Sequence, residues 1–210
     1  FHRMDEMLSD PATLGELQTF SNDASAQTFS SRHASPDCMG CTAVMACVRP
    51  DVIVVANAGD SRAVLCRKGV AVDMSEDHKP NLPGEMQRIR RAGGTVIEQH
   101  FGGHTHYRVN GNLNLSRSIG DLGYKQNAAL PAQDQMICCT PEVRTFRRQP
   151  GDHFMVIACD GVWDVLSSQE VVDFIRPRLG NPEDLEERLR TGEVHLSSIM
   201  EDLLDYCLSP

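Results

Sequence analysis

Phe154-Met155-Val156-Ile157-Ala158-Cys159 is an uncharged run that ends abruptly in Asp160-Gly161, and a second carboxylate, Asp164, follows four residues after the first. Such a run reads as a buried strand whose carboxyl end opens into a loop or a helix start. An ionised carboxylate at that point is costly unless a cation or hydrogen-bond donors meet it. A second carboxylate nearby raises the cost unless both share one cation. If residues 162–165 begin a helix, Asp160 and Asp164 stand one turn apart on one face and can turn toward a common divalent ion. The other reading of an acid at a helix start is a cap with no ligand role.

The size of the chain, 210 residues, is that of one ordinary domain, and 40% hydrophobic content suffices for a core. Nothing approaches the ~18 apolar residues of a membrane span. Phe1-His2-Arg3-Met4-Asp5 lacks the basic-then-apolar order of a signal peptide. A soluble, monomeric, cytoplasmic protein without membrane contact is expected, with the nucleus also open. A formal charge of −9 disfavours a surface built for phosphate backbones, so nucleic acid is not an expected partner. Arg88, Arg90 and Arg91, with Arg144, Arg147 and Arg148, remain local candidates for anions. Of the eight cysteines, Cys47, Cys66, Cys159 and Cys207 lie in apolar segments, and the chain is too large to depend on staples, so reduced thiols are expected. Cys38-Met39-Gly40-Cys41 has neither a second Cys-x-x-Cys nor a βαβ pattern beside it, which argues against a zinc or redox role.

Along the chain, Phe1, Met4, Met7 and Leu8 have helical spacing, and Asp10-Pro11 reads as a stop. Residues 21–40 have the texture of a surface loop. Short β-rich runs then follow at 41–48, 52–58, 62–66 and 70–74, joined by brief turns, which predicts an antiparallel meander with Asp60 at a tight corner. Pro83 opens a helix closed by Gly93-Gly94. Strands are expected at 95–98, 107–109, 113–115 and 142–146, with 119–140 irregular. His100, His104 and His106 fall in an expected solvated loop, with adventitious Zn²⁺ or Ni²⁺ binding as the other reading. Ser167 and Glu170 stand in capping-box order before a further helix. Leu196, Ile199, Met200, Leu203, Leu204, Cys207 and Leu208 give the apolar stripe of an amphipathic helix. Strand blocks with helices grouped before and after them indicate an α+β fold with antiparallel sheets rather than βαβ units.

Several strings carry a resemblance when read in order. They are Gly40-Cys41-Thr42-Ala43, Ala58-Gly59-Asp60-Ser61-Arg62-Ala63, Asp77-His78-Lys79-Pro80 and Arg90-Arg91-Ala92-Gly93-Gly94, followed by the run from Val109 to Asp121 and Ala158-Cys159-Asp160-Gly161-Val162-Trp163-Asp164-Val165. Over residues 1–8 and 40–208 the chain resembles the PP2C (PPM) family of metal-dependent serine/threonine protein phosphatases. The resemblance implies a four-layer αββα sandwich with two antiparallel sheets. It also implies two or more Mg²⁺ or Mn²⁺ ions, and a metal-activated water that attacks phosphoserine or phosphothreonine in phosphoprotein substrates. It assigns Asp160 to a core metal, and Asp60 with Asp164 to a further, weaker metal or its waters. Residues 80–107 correspond to the family's flap, where substrate preference is thought to reside. Arg62 is a candidate for substrate phosphate contact or a structural partner of its neighbours. Arg117 is read as structural, and Trp163 as a core anchor beneath the metal loop.

The departures bear on activity. The family's Asp-Gly-His-Gly-Gly motif, its upstream Arg and Glu-Asp segment and its Gly-x-Asp-Asn motif are absent. Those segments carry the general acid and the phosphate-binding arginine, which are therefore expected outside these 210 residues. On this reading residues 1–210 are one partial catalytic domain, truncated at both ends and inactive alone. The alternative is a catalytically inactive pseudophosphatase that binds protein partners.

Overall fold

A computed structural model describes residues 1–19 and 37–208. Most of the stretch expected as a surface loop lies outside the described residues. The chain forms two compact units. One comprises residues 1–45, 56–60 and 77–142, and the other 46–55, 61–76 and 143–210.

In the first unit, α1 (His2–Ser9) is followed at once by α2 (Pro11–Thr19). The Asp10-Pro11 pair that reads as a stop is also a start. The Asp10 carboxylate accepts the Ala12 N–H at 2.9 Å, and proline at the first helical position loses no bond it would otherwise make. Two-residue strands β1 (Gly40–Cys41) and β8 (Ile119–Gly120) pair antiparallel. Helix α3 (Pro83–Arg91) starts with its proline at the expected place. It ends where Gly93 takes a left-handed φ of 93° and Gly94 N–H returns to Ile89 O, a turn that glycine enters without penalty. Ile89 is fully buried with Val109 and Ile137.

Strands β6 (Val96–Phe101) and β7 (His104–Val109) form a longer hairpin than expected. Gly102 and Gly103 both have positive φ, the two-residue loop that matches strand twist, so the histidine-rich stretch expected as a loop is largely strand. The strand expected at 113–115 shrinks to one bridge, Val109 to Leu113. Asn110 and Gly111, both left-handed, reverse the chain too tightly for more.

In the second unit, β4 (Arg62–Arg67) and β5 (Val70–Asp73) are joined by a left-handed Lys68-Gly69 pair, and β10 (Asp152–Ala158) lies antiparallel on the other side of β4. Helices α4 (Asp160–Trp163), α5 (Ser168–Leu179) and α7 (Leu196–Leu208) share a core with this sheet. Val64, Val156, Trp163, Val171, Ile175 and Leu203 fill its centre. The Ser167 and Glu170 capping box is formed. The short α6 (Leu185–Thr191) packs Leu185 against this core and ties Arg188 to Leu179 O at 2.8 Å, while its Arg190 to Glu187 pair is exposed.

The architecture is α+β, with its strands in several sheets and antiparallel pairing in those just described. The expected meander is not formed. Strands β2 (Ala43–Val48), β3 (Val52–Ala58) and β9 (Glu142–Arg147) share one sheet in that order, whereas β4 and β5 belong to another. The exchange happens at Gly59-Asp60-Ser61, where Gly59 has φ 120° and the Thr42 side chain occupies the space a Cβ would need. Only glycine passes both conditions. Gly59→Ala is therefore expected to cost about 2–3 kcal/mol in urea unfolding. A loss below ~0.5 kcal/mol would show that the corner is not constrained in this way.

Candidate functional site

The apolar run ends at Asp160 as anticipated, but the expected buried strand is only partly so, with Val156 buried and Ile157 42% exposed. Strand β10 ends at Ala158, Cys159 takes the N-cap position and α4 begins at Asp160, two residues earlier than its sequence suggests. Asp164 is the C-cap residue, and its N–H bonds to Asp160 O at 2.8 Å. The two acids are thus one helical turn apart, which puts them on the same face. Asp160 is half-buried and Asp164 exposed. Within their unit, no described side chain donates a hydrogen bond or offers a cation to the Asp160 carboxylate.

Trp163 fixes this turn. Its indole N–H donates to Ala158 O at 2.8 Å, tying the helix back to the strand end, and the ring is buried. The Arg62 guanidinium lies 5.3 Å from the ring centroid, a cation–π arrangement, and donates to Ser168 Oγ at 3.1 Å. Ser168 Oγ in turn donates to Asp73 at 2.6 Å. Arg62 thus borders the Asp160 turn as part of a built network rather than as a solvated side chain.

Asp60 belongs to the other unit, at the Gly59 corner, and is only 2% exposed. Lys79 Nζ reaches Asp60 Oδ2 at 2.7 Å. The backbone around Lys79 is pinned. His78 N–H donates to Gly59 O at 3.0 Å, the His78 ring Nδ1 is 3.2 Å from Gly59 N, Ser116 N–H donates to His78 O, and Pro80 is fully buried. Burial, reinforced by the Arg117 charge, pulls the His78 pKa down, so a neutral ring is the form held at this corner.

Beside it lies the principal charge cluster of the unit. Glu85 on α3 receives Arg88 Nη1 at 2.6 Å and Arg117 Nε at 3.1 Å, with Ser116 Oγ also 2.6 Å away. Arg117 reaches on to Thr140 O, and Arg88 to the carbonyls of Gln135 and Ser116. Burial pushes the Glu85 carboxyl upward, but the Arg117 hydrogen bond, the Arg88 charge and Ser116 outweigh it and leave the pKa at about 2. Arg117 is structural, as expected from its sequence. Arg88 is not available to an anion, and Arg148 is committed to the carbonyls of Arg49 and Pro50.

Lys79 and Glu85 were not singled out as charge partners by sequence reasoning. The only signal was the Asp77-His78-Lys79-Pro80 string, which does not state that its lysine reaches back 19 residues. Among the histidines, His100 lies 3.3 Å from Glu98 on the exposed hairpin. Among the described residues, no three His, Cys, Asp or Glu side chains are grouped to hold a metal ion. Asp160 and Asp164 offer hard carboxylate oxygen from one turn, which fits a Mg²⁺-like ion that keeps water in most of its coordination positions. All eight cysteines are free thiols.

Residues 11–209 match the family model described as Protein phosphatase 2C. Protein phosphatase 1G of Rattus norvegicus is 50% identical over 172 residues, covering 81% of this chain and 29% of that relative. Probable protein phosphatase 2C 42 of Oryza sativa subsp. japonica is 41% identical over 222 residues, covering 100% of this chain and 59% of that protein. The chain therefore spans from under a third to about three-fifths of the length of these curated relatives. Among solved structures, a phosphatase from a pathogenic strain of Toxoplasma gondii shares 33% identity at a TM-score of 0.57, covering 74% of this chain and 43% of that one. Serine-threonine phosphatase 2C from Toxoplasma gondii aligns over 97% of this chain and 72% of its own at a TM-score of 0.61, and at 21% identity supports the fold alone.

The Glu85 cluster gives a pH prediction. A carboxylate held below its ordinary pKa of 4.5 contributes stability that is complete above that value and is lost as pH falls toward about 2. Glu85→Gln should cost about 3 kcal/mol near neutrality and flatten the acid limb of a stability-versus-pH curve. Parallel acid limbs in wild type and variant would contradict this.

Proposed function

Because the chain belongs to the protein phosphatase 2C family, we propose that the protein carrying it hydrolyses phosphoserine and phosphothreonine in phosphoproteins, with residues 1–210 forming part of one such catalytic domain. The observation that supports this most is the pair Asp160 and Asp164, one turn apart at the end of an apolar strand with no chain cation from their own unit against Asp160. The family is metal-dependent. Bound Mg²⁺ or Mn²⁺, in two or more copies, supplies an acidified water and neutralises the phosphoryl oxygens.

The residues of the chain serve that chemistry in distinct ways. Asp160 holds the tightest ion. Asp60 in one unit and Asp164 in the other are each assigned to weaker metal binding or to an ion's waters. Trp163 keeps the Asp160 turn from swinging by its bond to Ala158 O. Arg62, steadied by Ser168 and the Trp163 ring, keeps a guanidinium beside that turn for a substrate phosphate. Residues 80–107, which include α3 and most of the β6–β7 hairpin, act as the flap that meets the phosphoprotein around its phosphorylated residue. The protein works as a cytoplasmic or nuclear monomer.

A second reading is favoured by one contact. Lys79 already neutralises Asp60, as a scaffold without a metal would require, and a non-catalytic partner-binding module would keep that pair. One set of measurements separates the two readings. With a phosphoserine peptide and Mn²⁺, phosphate release by the protein carrying this chain should depend on the ion and fall by roughly two orders of magnitude in Asp160→Asn. Calorimetric titration should show that Asp160→Asn abolishes the tightest Mn²⁺ and that Asp60→Asn spares it. Equal losses from both variants, or release indifferent to Mn²⁺, would refute the assignment.

A further inference from the structure

Asp60 presents a contradiction within the phosphatase reading. Its side chain is almost completely removed from water, which a carboxylate tolerates only beside a cation, and Lys79 Nζ at 2.7 Å already fills that need. Lys79 does not hang there loosely. Its backbone lies between His78, whose N–H and ring both engage Gly59, and the fully buried Pro80, while Lys79 O accepts the Leu82 N–H at the threshold of α3. The ammonium is therefore delivered to the carboxylate by a fixed strap that begins at the same glycine corner as Asp60. Its own side chain retains partial contact with water, at 31% exposure against 3% for Asp60, so it has somewhere to go.

We infer that Lys79 is a tethered counter-ion that occupies the Asp60 carboxylate in place of a divalent cation, and that an ion binds at Asp60 only by displacing it. The inference rests on the reading of Asp60 as a ligand. It adds that the weakness of that site is built in by the chain. A lysine and a divalent ion cannot share one desolvated carboxylate at contact distance without strong mutual repulsion, so whichever occupies it excludes the other. When the ion enters, the ammonium swings into the water it already touches, and the ion takes over neutralisation of Asp60. Lys79 is thus a positioning residue for the metal state and makes no contact with substrate in this account.

The test uses Mn²⁺ alone, with bound ions counted by electron paramagnetic resonance and with the Mn²⁺-induced rise in melting temperature as a second readout. Lys79→Met removes the competing charge and retains the stem. It should bind the Asp60-dependent ion about tenfold more tightly than wild type, and Mn²⁺ should raise its melting temperature more than that of wild type. The gain should vanish in Asp60→Asn/Lys79→Met. Lys79→Arg, whose planar fork grips a carboxylate with two bonds, should bind that ion more weakly than wild type, and this arm decides if Lys79→Met does not fold. Equal Mn²⁺ affinity in wild type, Lys79→Met and Lys79→Arg, with a loss in Asp60→Asn, would overturn the gate and leave Asp60 a ligand. No effect of Asp60→Asn on any bound ion would remove the ligand reading and the gate together.

Discussion

A carboxylate withdrawn from water must be met by a positive charge or by hydrogen-bond donors, and four acids of the described chain meet that requirement with a cation. Glu85 gathers Arg88 and Arg117, Asp60 takes Lys79, Asp5 takes Lys125 at 2.6 Å and Asp152 takes Arg67 at 2.6 Å. The latter pairs link segments far apart in sequence, 120 residues for Asp5 and 85 for Asp152. Asp5 also accepts the Gly120 N–H, so one acid anchors α1 to both β8 and the loop after it. Such pairs add little net stability against an apolar replacement. Removing one partner is severe, because the remaining charge is stranded. Their effect is to fix which segments lie against which.

Two acids depart from this pattern: the buried Asp121 is met by the Ser118 hydroxyl at 2.6 Å, and the Asp160 turn by no donor side chain of its own unit. Asp160 is a half-buried acid at the end of an apolar strand with no chain cation from its own unit against it, the setting from which a metal ion is proposed above. Asp60, neutralised internally, is the opposite case. The contrast accounts within one physical scheme for a tight site at Asp160 and a weak one at Asp60, as proposed for the family's chemistry.

Much of the fold was legible because periodicity and capping are local. The β10 run, the Pro83 start of α3, the Ser167 capping box and the apolar stripe of α7 all occur within a few residues of where the sequence puts them. What was not legible depends on distance. No local signal says that β3 and β4 leave for different sheets at Gly59, or that Glu85 collects arginines 3 and 32 residues away. Two helices were missed for a different reason. α6 is only seven residues long and sets a single leucine, Leu185, against the core, too little for a periodic stripe, and α2 opens on the same Asp10-Pro11 pair that closes α1. Of the site, the Asp160 and Asp164 turn was readable from spacing, whereas the lysine held against Asp60 was not.

The central claim is that Asp160 is a metal ligand and not merely a helix-start acid. Crystals of the protein soaked in Mn²⁺ and measured at the manganese edge test it directly. The account predicts an anomalous peak ~2.1 Å from an Asp160 carboxylate oxygen, with Asp164 facing the same ion or its waters. Anomalous density that avoids Asp160, with its carboxylate bonded only to protein groups, would contradict it.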